Sequence, residues 1–105
     1  MTQRYPERTV VPIKAATATL ANVAGATSSQ TLLAANTLRL GAVIMNDSAA
    51  TLYVKFGSTA STTSFTYLLT AAATLELPTN AVYTGIITGI WASATGSARV
   101  TELTA

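Results

Sequence analysis

The sequence predicts an all-β fold: an antiparallel β-sandwich, jelly-roll-like, of about eight short strands behind an extended N-terminal arm. Three observations carry this. Short apolar segments alternate with a period of two and are separated by Gly, Asn, Asp and Pro turn signals at sandwich-like spacing. No helical segment is long enough for a βαβ crossover, so the sheets are expected to be antiparallel. Only 10% of the 105 residues are charged, against about 25% in an ordinary soluble domain. The polar surface must then be mostly Thr and Ser, which suit strands.

That length makes one domain, divided here into an arm over 1–14 and a sandwich over 15–105. The arm contains Pro6 and Pro12, which block a helix and do not fit a central strand. A frayed terminus is one reading of such a start. The sharper one is an arm reaching over a neighbouring subunit, with Tyr5, Val10, Val11 and Ile13 to bury. Arg4, Arg8 and Lys14 stand among them, so the net charge of +2 reports a basic arm and not a basic groove. The body balances Arg39, Lys55 and Arg99 against Asp47, Glu76 and Glu102, which argues against a nucleic-acid face.

Thr17 to Val23 reads as a strand, with Ala18 and Leu20 on one face. Ala24-Gly25-Ala26 turns the chain, Thr27 to Leu33 is a second strand, and Ala34-Ala35-Asn36 turns it again. The densest apolar run is Leu38 to Phe56. It predicts two strands joined by a tight polar turn at Asn46-Asp47-Ser48. In the first, Leu38, Leu40, Ala42 and Ile44 share a face, and Arg39, Gly41, Val43 and Met45 share the other. Two apolar faces mark a central, covered strand. In the second, Leu52, Val54 and Phe56 point inward, while Thr51, Tyr53 and Lys55 point outward.

Residues 57–64 are a loop of small residues. Phe65, Tyr67 and Leu69 then alternate with Thr66 and Leu68. Thr74 to Leu77 is a short strand with Leu75 and Leu77 inward, and Ala71–Ala73 offers a helical turn as the alternative. Pro78-Thr79-Asn80 is a turn. Gly85 to Trp91 is apolar on both faces and predicts a central strand, with its glycines marking a bulge or a close backbone approach. Ala94-Thr95-Gly96 turns into the last strand, Ala98 to Leu103, in which Val100 faces inward.

No constellation for chemistry stands out. The chain has no Cys and no His, so thiol, imidazole and zinc chemistry lack their usual residues. Glu7, Asp47, Glu76 and Glu102 are too scattered to predict a carboxylate pair. A hydrolase using them is a remote reading. No phosphate-cradling glycine loop occurs. Asp47 reads as a turn-stabilising Asx residue, not part of a calcium loop. The expectation is therefore no catalytic residue, no cofactor and no metal. The charge-free stretches carry Thr, Asn, Gly and Pro78 and predict no membrane helix. The start has no apolar h-region and predicts no secretory signal, so synthesis in the cytoplasm is expected. Among the aromatics, Trp91 and Tyr67 read as core and Tyr53, outward beside Lys55, as interface. Charge-poor edges further predict pairing with other chains.

Four segments resemble a known group. They are Arg39-x-Gly41-Ala42-x-Ile44-x-Asn46-Asp47-Ser48, then LYVKFG from Leu52, YTGIITGIW from Tyr83, and GSARVTE from Gly96. Their order and density are similar to small structural proteins of tailed-bacteriophage virions, over residues 23–103. The resemblance implies a β-sandwich decorating the head or attached to the tail, without catalytic residues. It leads us to expect a capsid decoration (cement) protein on the outer head surface. Its partners would be the major capsid protein or other virion proteins, with further copies of itself, trimers favoured. The alternative is a tail, baseplate or head-fibre module that binds host glycans through Tyr53, Tyr83 or Trp91. The expected interface is Arg4, Tyr5, Arg8, Val11, Ile13, Lys14, Tyr53 and Lys55.

Overall fold

A computed structural model describes residues 14–105 of the chain. Eight strands form there and no helix: β1 (Thr17–Ala24), β2 (Gln30–Leu33), β3 (Gly41–Asp47), β4 (Leu52–Phe56), β5 (Tyr67–Leu69), β6 (Thr74–Glu76), β7 (Ile87–Trp91) and β8 (Ser97–Thr104). They make two antiparallel four-stranded sheets, β1-β8-β3-β6 and β2-β7-β4-β5. The pairs β1·β8, β2·β7, β3·β6 and β4·β5 are the rungs of one long hairpin whose tip is the loop after Phe56. Rolling that hairpin up adds β3·β8 and β4·β7, which closes each sheet. This is the jelly-roll order, and the expected β-sandwich is the observed fold.

The core lies between the sheets. Ile44, Leu52, Val54 and Ile87 are fully buried, with Trp91 and Val100 nearly so. Gly89 sits in the middle of β7 because its neighbours come too close for a side chain. A Cβ there would lie 2.9 Å from Leu32 Cδ1 and 3.0 Å from Leu52 Cδ1. The expectation of a close approach at a strand glycine is met here. Gly96, at φ +61°, occupies the left-handed region that turns the chain into β8.

Several local expectations need correction. β3 and β4 are not a hairpin: they lie in opposite sheets, and the chain crosses between layers at 48–51. The residue organising that crossing is Asn46, not Asp47. Asn46 is fully buried, and its Nδ2 donates to the carbonyls of Ala50 (2.8 Å), Leu69 (2.9 Å) and Thr70 (3.1 Å). Ser48 Oγ donates back to Asn46 Oδ1. Asp47 points outward to an exposed ion pair with Arg99 at 2.9 Å.

Leu38 does not begin β3. Asn36 Oδ1 accepts the Leu38 N–H at 3.0 Å, making a local turn that leaves Leu38 73% exposed. The second strand likewise starts at Gln30, not Thr27. Ala71–Ala73 forms no helical turn. Ala72 takes φ +65° and donates its N–H to Asn46 O at 2.9 Å, while Asn46 N–H donates to Ala73 O. Asn46 thus latches both β4's approach and the β5–β6 turn. β3 and β7 are central strands as expected, but neither outer face is sealed: Val43, Met45 and Ile90 are half-buried.

Candidate protein-interaction surface

Alternation along β4 places Tyr53 and Lys55 on the outer face of their sheet. The register sets Tyr53 beside Leu68 of β5 on one side and Ile90 of β7 on the other. Phe65 packs edge-on against the Tyr53 ring with centroids 5.0 Å apart. Leu68 is 49% exposed and Phe65 39% exposed, while Tyr53 and Ile90 are half-buried. Four large apolar side chains therefore form one open patch on the outer face of the sheet. Lys55 stands in the next row, with Nζ donating to Thr59 O at 3.3 Å. A patch of this kind on a strand face is an interaction site or an aggregation hazard. Tyr at its centre is a favoured anchor.

The structure thus brings Tyr53 and Lys55 together and adds Phe65, Leu68 and Ile90, which sequence reasoning missed. Phe65 shares parity with the inward residues Tyr67 and Leu69, but β5 begins only at Tyr67, so the alternation does not reach it. Lys14 is exposed and stands ahead of β1, at the edge of the opposite sheet. Arg4, Tyr5, Arg8, Val11 and Ile13 lie outside the described residues.

The other aromatics sort by burial. Trp91 is a core residue at 1% exposure, so it presents no face to a sugar. Its Nε1 has no hydrogen-bond partner among the described residues. Tyr83 stacks on Phe56 at 5.0 Å, and Tyr67 packs at a tilt against the same ring at 5.7 Å. Both tyrosines are half-buried and pack against the hydrophobic core.

At the opposite sheet, the second layer does not cover β1. Its inward residues Thr17, Thr19 and Ala21 stay exposed. An open cleft of about 550 Å³ lies there, lined by Thr19, Leu38, Leu40, Glu102 and Thr104 among others. Its floor is held by a buried cation. Arg39 is 2% exposed, and its Nε donates to Glu102 Oε2 at 2.8 Å. Its Nη1 donates to the carbonyls of Tyr83 (2.8 Å) and Gly85 (3.0 Å), and Nη2 to Ala34 O (2.6 Å). Asn36 Nδ2 also reaches Glu102 Oε1 at 3.3 Å. One guanidinium fork so ties two connections, β2–β3 and β6–β7, to β8.

Among the described residues, the carboxylates are paired or exposed. Glu102 serves Arg39, Asp47 serves Arg99, and Glu76 is exposed on β6. Among the described residues, no three metal-ligating side chains gather, and no helix is long and apolar enough to cross a membrane. No family model, curated protein or solved structure matches the chain. The fold and its surfaces define a small jelly-roll module whose distinctive features face outward.

Proposed function

We propose that this chain is a structural protein of a tailed-phage virion: a decoration protein that binds the outer head surface and cements neighbouring major capsid subunits. The observation that carries the reading is the open Tyr53–Phe65–Leu68–Ile90 patch on the outer sheet face. An open apolar face with a Tyr anchor and, among the described residues, no cavity beneath it suits a contact with protein better than a small ligand. The sequence resemblance points the same way. The jelly roll recurs in viral capsid proteins and in lectins, a fold-level analogy only.

In this reading the patch seats on the capsid while several copies, a trimer, engage together. Multivalent seating multiplies weak single contacts by effective concentration. Pressure from within the head then has to break those contacts as well. The protein is made in the host cytoplasm and resides on the virion.

The test is addition of the purified protein to heads lacking it, read by co-sedimentation and electron cryomicroscopy. Saturable binding to the head exterior, lost in Tyr53→Ser and Phe65→Ser, is the expected result. Removal of residues 1–14 should also weaken occupancy. Binding to tails and not heads, or a glycan-array signal that depends on Tyr53, would move the protein to the tail or fibre class instead.

A further inference from the structure

The outer edge of β1 is the longest open strand edge among the described residues. β8 pairs with one side of β1, and no described strand pairs with the other. The remaining sheet edges are short or irregular: β5 and β6 have three residues each, and β2 has four with a register shift between Thr31 and Leu33. β1 has eight residues, TATLANVA, with no charge, no proline and no bulge. Those are the devices by which edges are normally defended.

The polar groups on that edge can be assigned. Gly25 N–H donates to Gly96 O at 2.9 Å, continuing the ladder in which Ala24 opposes Ser97. Odd-numbered residues therefore turn their backbone to β8. Ala18, Leu20, Asn22 and Ala24 turn their N–H and C=O groups to the open edge. Their side chains stand on the outer face, where Leu20 is 74% exposed.

The geometry points to residues 1–13 of a second copy as the strand that completes this edge. Those residues precede Lys14 and lie outside the described residues, and their sequence has a matching parity. Pro6 and Pro12 are an even number apart, so in any extended strand both face the same edge. The opposite edge is served by Tyr5, Glu7, Thr9, Val11 and Ile13, an unbroken run of donors and acceptors. A strand with one edge closed by proline is fit to be outermost, and it stops further addition. In antiparallel pairing, Tyr5, Val11 and Ile13 share the outer face with Ala18 and Leu20. Arg4 and Arg8 fall on the other face, that of Thr19 and Glu102.

A neighbour's arm fits better than the chain's own. Ala16 N–H already donates to Thr104 O at 3.0 Å, so a fold-back would have to reverse before Ala16. Tight hairpin turns need positive φ, supplied by Gly, Asn or Asp. None occurs before Asn22. Thirteen extended residues span about 43 Å and the eight of β1 about 26 Å, at roughly 3.3 Å per residue, so the arm can cross to a neighbour and still pair. Head-to-tail exchange of this kind closes a ring when the rotation between copies closes.

The pairing is tested on the isolated full-length protein, so its failure and a failure of head binding are distinguishable. Sedimentation and native mass spectrometry should find an oligomer. Leu20→Pro removes an N–H from the open edge only and should give a folded monomer. Val11→Pro, on the arm's bonding edge, should do the same, whereas Val10→Pro, on the closed edge, should leave the oligomer intact. An equimolar mixture of the Leu20→Pro and Val11→Pro chains should associate one to one, since the first keeps the arm and the second keeps the edge. Should Leu20→Pro misfold, amide exchange decides without it. The Ala18, Leu20, Asn22 and Ala24 amides should exchange on the order of 100-fold faster in Val11→Pro than in the unaltered chain. A monomeric unaltered chain, equal effects of Val10→Pro and Val11→Pro, or unchanged exchange at those four amides overturns the inference.

Discussion

Replacing Arg39 by Met removes a guanidinium whose side chain has no solvent exposure, while keeping most of the apolar volume. Four contacts go at once: one to Glu102 and three to the carbonyls of Tyr83, Gly85 and Ala34. Breaking a buried pair by deleting one partner costs about 3–5 kcal/mol. Two effects hold the loss within that range. The Glu102 side chain is 17% exposed and lines the open cleft, so water can reach it. The freed carbonyls belong to connections, which can relax toward solvent. For a domain worth about 5–15 kcal/mol in all, this is a large fraction. Urea unfolding measures it directly. With a slope of about 1.5 kcal/mol per molar, the midpoint should fall by about 2–3 M. Glu102→Gln keeps an acceptor for Nε and should lose less than Arg39→Met. A midpoint shift below about 0.5 M for Arg39→Met would refute the view that this side chain ties the connections to β8.

The remaining predictions concern neighbouring residues with opposite fates. Asn46→Ala leaves buried carbonyls without a donor and should cost about 2–3 kcal/mol by thermal or urea unfolding. Asp47→Asn, one residue on, breaks only a half-exposed ion pair and should cost under about 1 kcal/mol by the same measurement. Gly89→Ala pushes a methyl against Leu32 and Leu52 and should cost about 1–3 kcal/mol, partly restored by Leu52→Val in the same chain. Tyr53→Ser should leave the unfolding midpoint within about 1 kcal/mol of the parent yet weaken head binding by roughly 30-fold or more, as loss of an anchor worth about 2 kcal/mol would.

Much of the sandwich was legible because strand parity is a local property. Leu52, Val54, Leu75, Leu77 and Val100 alternate with polar neighbours, and each is buried. Layer membership was not legible. β3 and β4 follow one another across a short polar turn and look like a hairpin, yet they face each other from opposite sheets. What decides this is where Asn46 sends its amide, to Leu69 and Thr70 far along the chain, and no spacing rule reports that. Arg39 was hidden for the same reason. Its burial depends on carbonyls 44 and 46 residues away, so in the sequence it looks like any other surface cation. At the candidate interface, Tyr53 and Lys55 could be placed outward by parity alone. Leu68 and Ile90 could be joined to them only once the β4·β5 and β4·β7 registers were known.

Under the proposed function and pairing, the two sheets divide the labour of association. The β2-β7-β4-β5 sheet has short or bulged edges and an open apolar face, which suits side-chain packing against a partner. The β1-β8-β3-β6 sheet has Arg99, Asp47 and Glu76 on its outer face and a long uncharged edge, which suits backbone pairing. Backbone pairing is nearly blind to sequence but strict about geometry, whereas a Tyr-centred patch is selective for the shape and chemistry of its partner. A module that meets copies of itself through the first and another protein through the second keeps the two contacts from competing. Proline substitution at position 20 should therefore abolish self-association while leaving single-copy binding at the Tyr53 patch measurable, and Tyr53→Ser should do the reverse.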